Sequence, residues 1–454
     1  MLASGGFRKL YATRLISQTG DGLFTAGLGT YVFFSATSFP DPATAAVSFA
    51  VLYLPYSIIG PFVGVFIDRW SRRQILFWSA MVRTVFVALA AVFIAGGALG
   101  LPVWIAVLIV LGVNRFFLSS LSAALPHVVA GDELVMANSV GPTSGTVVAF
   151  IGGIVGTGVH VATGGGPVGS ALTLAVGGIC YFLAGLTALR MSRTSLGPFG
   201  PASLGPFGPA SLGPSATERT PQEGVGAELE NVAAGLVSGL RHVWQRRPAR
   251  GALAATGVHR FLYGIALLMS ILLYRNYFYH ASRSNTALGS FLSVVISSAI
   301  GYGLAAWLTP IATRRLTNES WITLLLAAGG VLTVALGLGF LQAEFVAIGF
   351  VLGIVAQGIA ISTTTILQQA VEDEFRGRVF SVNDMVYNAT FVLGAAISAV
   401  FMPRSGHSVP MLLVIGAGYV LGAAGYRLIS GPGLPPSATA PEPPHHDREG
   451  HVRA

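Results

Sequence analysis

The stretch Gly64-Val-Phe-Ile-Asp68-Arg69-Trp-Ser-Arg72-Arg73 is a charged island between two long apolar runs. The runs on either side, 43–67 and 74–97, each exceed the roughly 20 residues that a helix needs to cross a bilayer. Working outward, the same pattern repeats along the chain. Ten further apolar runs fall at 11–35, 101–125, 140–163, 168–190, 251–275, 286–309, 320–341, 345–369, 382–403 and 409–429, mostly separated by short polar or glycine-rich breaks. Continuous runs of this length predict an all-α polytopic membrane protein with twelve spanning helices. A membrane β-barrel is excluded, because its strands alternate over about ten residues.

Composition agrees. Of 454 residues only 10% are charged and 53% are hydrophobic. A soluble protein carries about 25% charged residues, so this chain cannot coat the surface of soluble domains. The net charge of +8 invites a nucleic-acid reading. The arginines, however, sit in short clusters between apolar runs rather than on one basic face, which is the pattern of membrane topology. No nucleic acid is expected as a partner. The single cysteine, Cys180, excludes an internal disulfide framework and any multi-cysteine metal site. No metal-ligand spacing and no Gly-x-Ser-x-Gly occur, so neither a cofactor nor an enzymatic activity is expected.

Orientation follows from the basic residues. With Arg8 and Lys9 cytoplasmic, Arg69, Arg72, Arg73, Arg193, Arg219, Arg241, Arg246, Arg247, Arg314, Arg315, Arg376 and Arg378 all fall on that side. The opposite loops hold Arg283 and Arg404, with Arg275 at a helix end. This asymmetry predicts an even helix number and both termini inside a plasma membrane, read here as a bacterial inner membrane. The runs divide six and six, giving an N-terminal bundle (1–190), a linker (191–250), a C-terminal bundle (251–430) and a disordered cytoplasmic tail (431–454). The linker opens with a period-eight repeat, Ser195-Leu-Gly-Pro-Phe-Gly-Pro-Ala, too rich in Gly and Pro for a helix. Then Leu229, Val232, Leu236, Leu240 and Val243 recur at helical spacing, predicting an amphipathic surface helix.

Ionisable groups at mid-depth are expensive in lipid and are functional candidates. Asp21 lies near the middle of the first run and Asn114-Arg115 near the middle of the fourth. An acid and a base at one depth can exchange a proton for a substrate, with Arg115 as partner of Asp21, or can form a structural ion pair that never titrates. Arg260, beside His259 and Tyr263, is a cavity candidate. Arg14 is expected to snorkel, and Arg83, in the cytoplasmic half of the third run, to snorkel or to pair between helices. Gln18, Gln357 and Ser362 to Thr365 offer neutral hydrogen bonds or helix–helix contacts. In the fifth run Gly152, Gly153 and Gly156 permit close helix packing. With one lysine against 25 arginines, any cation in the cavity is permanent, and switching falls to the acid or to His259.

The opening stretch resembles the signature loop of the major facilitator superfamily, Gly-x-Leu-Ala-Asp-Arg-x-Gly-Arg-Arg/Lys. Gly64, Asp68, Arg69, Arg72 and Arg73 match it; Phe66 and Ser71 depart from it. The second-half loop, Ala306 through Pro310 to Arg314-Arg315, keeps the charge but not the acid, and Glu372 to Ser381 is also family-like. Phe7-Arg8-Lys9-Leu10 and Ser17 to Asp21 are similar to bacterial drug and siderophore exporters of the enterobactin and macrolide type. The resemblance implies two pseudo-symmetric six-helix bundles that open alternately around a midplane site lined by helices one, four, seven and ten. It implies that Asp68 clasps the two halves near Ser381 to Asp384. It also implies proton-coupled efflux of a small amphipathic molecule by a functional monomer embedded in lipid. The Gly-Pro-x-x-Gly-Gly motif of proton antiporters is present here only as Gly152-Gly153-Ile-Val-Gly156, without the proline. A net-positive cavity favours an anionic or zwitterionic cargo. Import, lipid or lysolipid flipping, and a non-transporting scaffold or sensor are the alternatives.

Overall fold

The computed structural model describes residues 4–34, 42–59, 71–97, 100–129, 134–192, 196, 225–279 and 283–430. Gly64, Asp68 and Arg69, the eight-residue repeat and the tail from 431 lie outside the described residues. So do the side chains of Leu229 and Arg376.

Among the described residues there are thirteen α-helices: α1 (Gly5–Phe34), α2 (Pro42–Ile59), α3 (Arg72–Ala95), α4 (Leu101–Ala124), α5 (Leu134–Ala162), α6 (Gly166–Leu189), α7 (Val225–Gln245), α8 (Arg247–Leu272), α9 (Ser284–Ala312), α10 (Asn318–Gly337), α11 (Gln342–Ala370), α12 (Asp373–Phe401) and α13 (Val409–Ser430). Ten of the described helices are long and apolar enough to cross a membrane. Hydrocarbon offers backbone amides no partners, so the helix is the form that satisfies them internally. Proline in the first turn starts α4, α6 and α8 where its missing N–H costs nothing. The Thr317 hydroxyl caps α10 by accepting from the Ser320 amide at 3.1 Å.

Several helices outrun their apolar stretches. α1 begins at Gly5 rather than 11, and α12 at Asp373 rather than 382. Hydropathy sees only the part that lipid would touch; helical hydrogen bonding continues past it. The charged stretch 373–381 is thus the first turns of α12 and not a loop.

α1 packs on α5 and α6, α3 on α4 and α6, and α2 on α4. α8 packs on α12, α13 and α11, α10 on α11 and α13, and α9 on α11. These two groups meet chiefly where α2 lies against α12. Phe391 of α12 sits 5.3 Å from the Phe49 ring and 4.7 Å from that of Tyr53 on α2. Phe34 at the end of α1 meets Phe291 of α9 at 5.4 Å. The turn between α5 and α6 passes through Gly164, Gly165 and Gly166, all with positive φ, and the Asn285 amide donates to the Gly164 carbonyl at 3.3 Å.

Glycine lets three of these helix pairs touch backbone to backbone. A Cβ on Gly22 would overlap the Ala149 carbonyl, and one on Gly152 the Thr19 carbonyl, joining α1 to α5. Gly264 and Gly394 stand in the same relation to Phe391 and Phe261 between α8 and α12, and Gly301 and Gly353 to Phe350 and Ser298 between α9 and α11. Of the fifth-run candidates, Gly152 and Gly156 serve close contacts. Gly153 faces open space, with Gly22 O 3.9 Å from its would-be Cβ.

The amphipathic stretch is helical, as α7, and packs on α12 and α8. Of the predicted stripe, Val232 and Val243 are buried and Leu236 is half-buried against the core, while Leu240 turns out. Gly235, Gly239 and His242 are buried as well, while Leu240 is exposed with Val237 and Trp244. The reason is Gly239, whose missing side chain admits the backbone and side chain of Arg378 and rotates the helix onto that face. Arg378 donates to Ser238 Oγ at 3.2 Å, His242 stacks on Phe375 at 4.2 Å, and Arg246 pairs with Glu372.

Candidate functional site

Two clusters of charged and aromatic side chains lie inside the helical body. The first is built on Asp21. Ser17 and Asp21 are one turn apart on α1 and so share a face. From α3, Arg83 reaches inward and is completely buried. Its Nη1 donates to Asp21 Oδ1 at 3.1 Å and to Asn114 Oδ1 at 2.7 Å, and its Nη2 to Ser17 Oγ at 2.7 Å. The Tyr181 hydroxyl of α6 donates to Asp21 Oδ1 at 2.8 Å, and Asn114 Nδ2 lies 3.5 Å from Oδ2. The Arg83 guanidinium is further sandwiched by the rings of Phe117 and Tyr181, at 4.4 and 4.2 Å. Four helices thus converge on one ion pair. Its cation is sealed, while the acid side chain keeps 21% of its surface open. A buried pair holds only when its remaining valences are met by further hydrogen bonds; here both terminal nitrogens of Arg83 are bonded and Nε is not.

This geometry corrects one expectation and decides another. The partner of Asp21 is Arg83, not Arg115, and of the two readings of Arg83 it is inter-helix pairing, not snorkelling, that the structure shows. Adjacent residues on a helix point about 100° apart. Asn114 therefore turns into the cluster while Arg115 turns away, towards Asp384 of α12, with which it interacts electrostatically. Arg14, also expected to snorkel, bonds sideways to Gln18 Oε1 at 3.0 Å and lines a small pocket with Tyr11, Leu121 and Leu125. Gln18 itself packs into the space left by Gly145, against α5.

The second cluster surrounds Arg260 on α8, which is buried at 6% exposure. Its Nε donates to the Tyr387 carbonyl of α12 at 3.1 Å. Its guanidinium lies 3.9 Å from the Tyr387 ring centre, 4.5 Å from that of Phe391 and 5.5 Å from that of Tyr263. His259 points elsewhere, sharing a 3.0 Å hydrogen bond with the Tyr419 hydroxyl. Gln357 is half-buried on α11 and bonded into neither cluster. Thr363 meets Thr256 at 3.3 Å, so the polar run 362–365 serves α11–α8 contact.

On the basic side, Arg72 bonds His127 Nδ1 at 3.0 Å and the Leu196 carbonyl at 3.0 Å, and Arg73 the Leu189 carbonyl at 3.0 Å. These arginines staple the start of α3 to the ends of α4 and α6. Among the described residues no group of His, Cys, Asp and Glu is placed to hold a metal ion.

Sequence reasoning missed Ser17, Tyr181, Tyr387 and Asp384 as site residues. A signal existed for two of them. Ser17 stands four residues before Asp21, and Asp384 lies three before Tyr387, on one helix face.

No family model matches the chain. Two MFS-type transporters, of Mycobacterium bovis and Mycobacterium tuberculosis, are each 34% identical over 429 residues, spanning 94% of this chain and 92% of their own. Among solved structures, the peptide transporter POT in complex with alafosfalin superposes with a TM-score of 0.68 at 13% identity, over 94% of both chains. The nucleoside transporter NupG does so with 0.66 at 16% identity, over 93% of this chain and 99% of that one. A bacterial homologue of the lysosomal transporter Spinster, in an inward-facing and unoccupied conformation, gives 0.61 at 13%.

Proposed function

The chain belongs to the major facilitator superfamily of membrane transporters, and on that premise we propose a proton-coupled secondary transporter of small molecules that works by alternating access. Its moving parts are two six-helix bundles, 1–190 and 251–430, in a plasma membrane with both termini cytoplasmic. The repeated packing pairs support this division: α1 on α5 and α6, then α8 on α12 and α13. The arginine asymmetry supports the orientation.

One observation carries the proton role: Asp21 keeps an open edge while its counter-ion is sealed. A carboxylate held by Arg83, Tyr181 and Asn114 and still accessible can accept a proton from the aqueous side. Arg83 keeps its hydrogen bonds to Ser17 and Asn114 and its two flanking rings when the acid is neutralised, and loses its counter-charge. Protonation thereby weakens the hold of α3, α4 and α6 on α1 and favours a rearrangement around Arg83.

The test is flux into proteoliposomes under an imposed pH gradient, with a panel of labelled small organic anions, zwitterions, cations, nucleosides and dipeptides. At least one class moves with the gradient, and the orientation that supports flux reads the direction. Asp21→Asn abolishes the response to the gradient and keeps exchange of labelled for unlabelled substrate. Gradient-driven flux at the wild-type rate in that variant overturns the proton role.

A further inference from the structure

Arg83 and Arg260, two of the four arginines buried among the described residues, are treated differently. Arg83 has its carboxylate. Arg260 has none: among the described residues no acid pairs with it, and its only hydrogen-bond partner is one backbone carbonyl. Asp384 stands one turn from Tyr387 on the same face of α12, but it interacts with Arg115 across the seam.

A guanidinium is a permanent cation, and a buried charge demands compensation. The three rings supply part of it through their negative faces. They leave the planar fork, which suits a carboxylate or phosphate bidentately, without an anion. The place is open rather than sealed, since Tyr387, whose ring lies against the guanidinium, is 36% exposed. Tyr263 and Tyr302 come within electrostatic range of the same charge. Phe391 continues the aromatic wall to Phe49 and Tyr53 of α2, so the site spans the contact between the two helix groups.

We propose that Arg260, with Tyr387, Phe391 and Tyr263, forms the subsite for the anionic head of the cargo, and that the cargo is an aryl carboxylate or a similar monoanion with a planar ring. The carboxylate takes the fork of Arg260, and its ring lies against the exposed Tyr387, beside the wall that buried Phe391 makes with Tyr53. Binding there supplies the missing counter-charge and joins α8, α12 and α2, so an occupied site favours the arrangement in which this seam is closed. The proposal rests on the transporter reading. It names a ligand class that binding alone can test, independently of flux and of Asp21.

The experiment is thermal stabilisation and calorimetry of the full chain in lipid nanodiscs, with four probes: 1-naphthoate, its amide, 1-naphthylmethylammonium and sulfate. Naphthoate binds and stabilises; the amide and the ammonium do not, and sulfate binds more weakly for want of a ring. Arg260→Gln weakens naphthoate at least about tenfold, equivalent to 1.4 kcal/mol, while Arg404→Gln, at an exposed arginine outside both clusters, binds it as the wild type does. The comparison of naphthoate with its amide uses the unaltered protein, so a variant that fails to fold leaves the test intact. Equal binding of acid and amide, binding undiminished in a folded Arg260→Gln, or no response to naphthoate at millimolar concentration overturns the proposal. Naphthoate binding by the wild type together with flux that ignores the pH gradient would overturn the proton role and support this proposal on its own.

Discussion

The two helix groups handle the same problem, a buried arginine, in opposite ways. In the first, α1, α3, α4 and α6 wrap Arg83 in a carboxylate, two neutral oxygens and two aromatic faces. In the second, α8 and α12 give Arg260 one carbonyl and three rings. One charge is complete within the protein and the other is not. A complete ion pair is a structural element that protonation can alter. An incomplete one is a place for something that comes and goes.

The difference predicts unequal costs. Arg83→Met strands Asp21 without its counter-ion, and breaking such a pair costs about 3–5 kcal/mol. Arg260→Met exchanges a poorly paired cation for an apolar chain among rings and lowers stability far less. Thermal unfolding of both variants in one detergent measures this. Equal destabilisation would erase the distinction between the halves.

Smaller changes probe what the halves share. Gly22→Ala in α1 and Gly394→Ala in α12 each drive a methyl group into a facing carbonyl, Ala149 and Phe261 respectively. Overpacking of this kind costs about 1–3 kcal/mol. Similar losses at both positions would show that the backbone contacts are equivalent although the charges are not. A loss at only one would make packing a second point of divergence.

The smallest effect concerns His127, at the end of α4, which belongs to the first group only. Partial burial, and then the Arg72 guanidinium beside it, hold its imidazole below the ordinary 6.5. The folded state therefore resists a proton that the unfolded chain accepts. The stability that the neutral ring contributes is present above the ordinary value and falls as pH drops through it. His127→Gln flattens that decline; an unchanged slope of stability against pH would remove His127 from the account.

Much of the fold was legible because lipid imposes a simple rule: long apolar runs become helices. That rule places α3 to α6, α8 to α11 and α13 to within a turn or so at most ends. It underestimates α1 and α12, whose charged first turns lie beyond the apolar run. The amphipathic helix α7 was legible by spacing, and so was most of its contact face; Leu240 turns out because Gly239 beside it docks on Arg378. At the site, depth was legible and azimuth was not. Asp21, Asn114 and Arg115 could be placed near mid-span from the sequence, and Arg83 in the cytoplasmic half of its run. Which of two neighbours on α4 faces α1 depends on how the helices are arranged around one another, and periodicity within one helix does not encode that. Tyr181 and Tyr387 were hidden for another reason, since in a hydropathy reading a tyrosine in an apolar run passes as filler.

The glycine contacts carry a mechanical consequence. Where α1 meets α5, α8 meets α12 and α9 meets α11, no side-chain layer separates the backbones, so neither partner can bow without pushing on the other. Each pair behaves as a stiff double rod. A bilayer thinner or thicker than the rod must then be met by tilting the pair as a unit. Because α12 belongs to such a pair and carries both the contact with α2 and the docking surface of α7, membrane thickness acts on the seam through the tilt of a single rod.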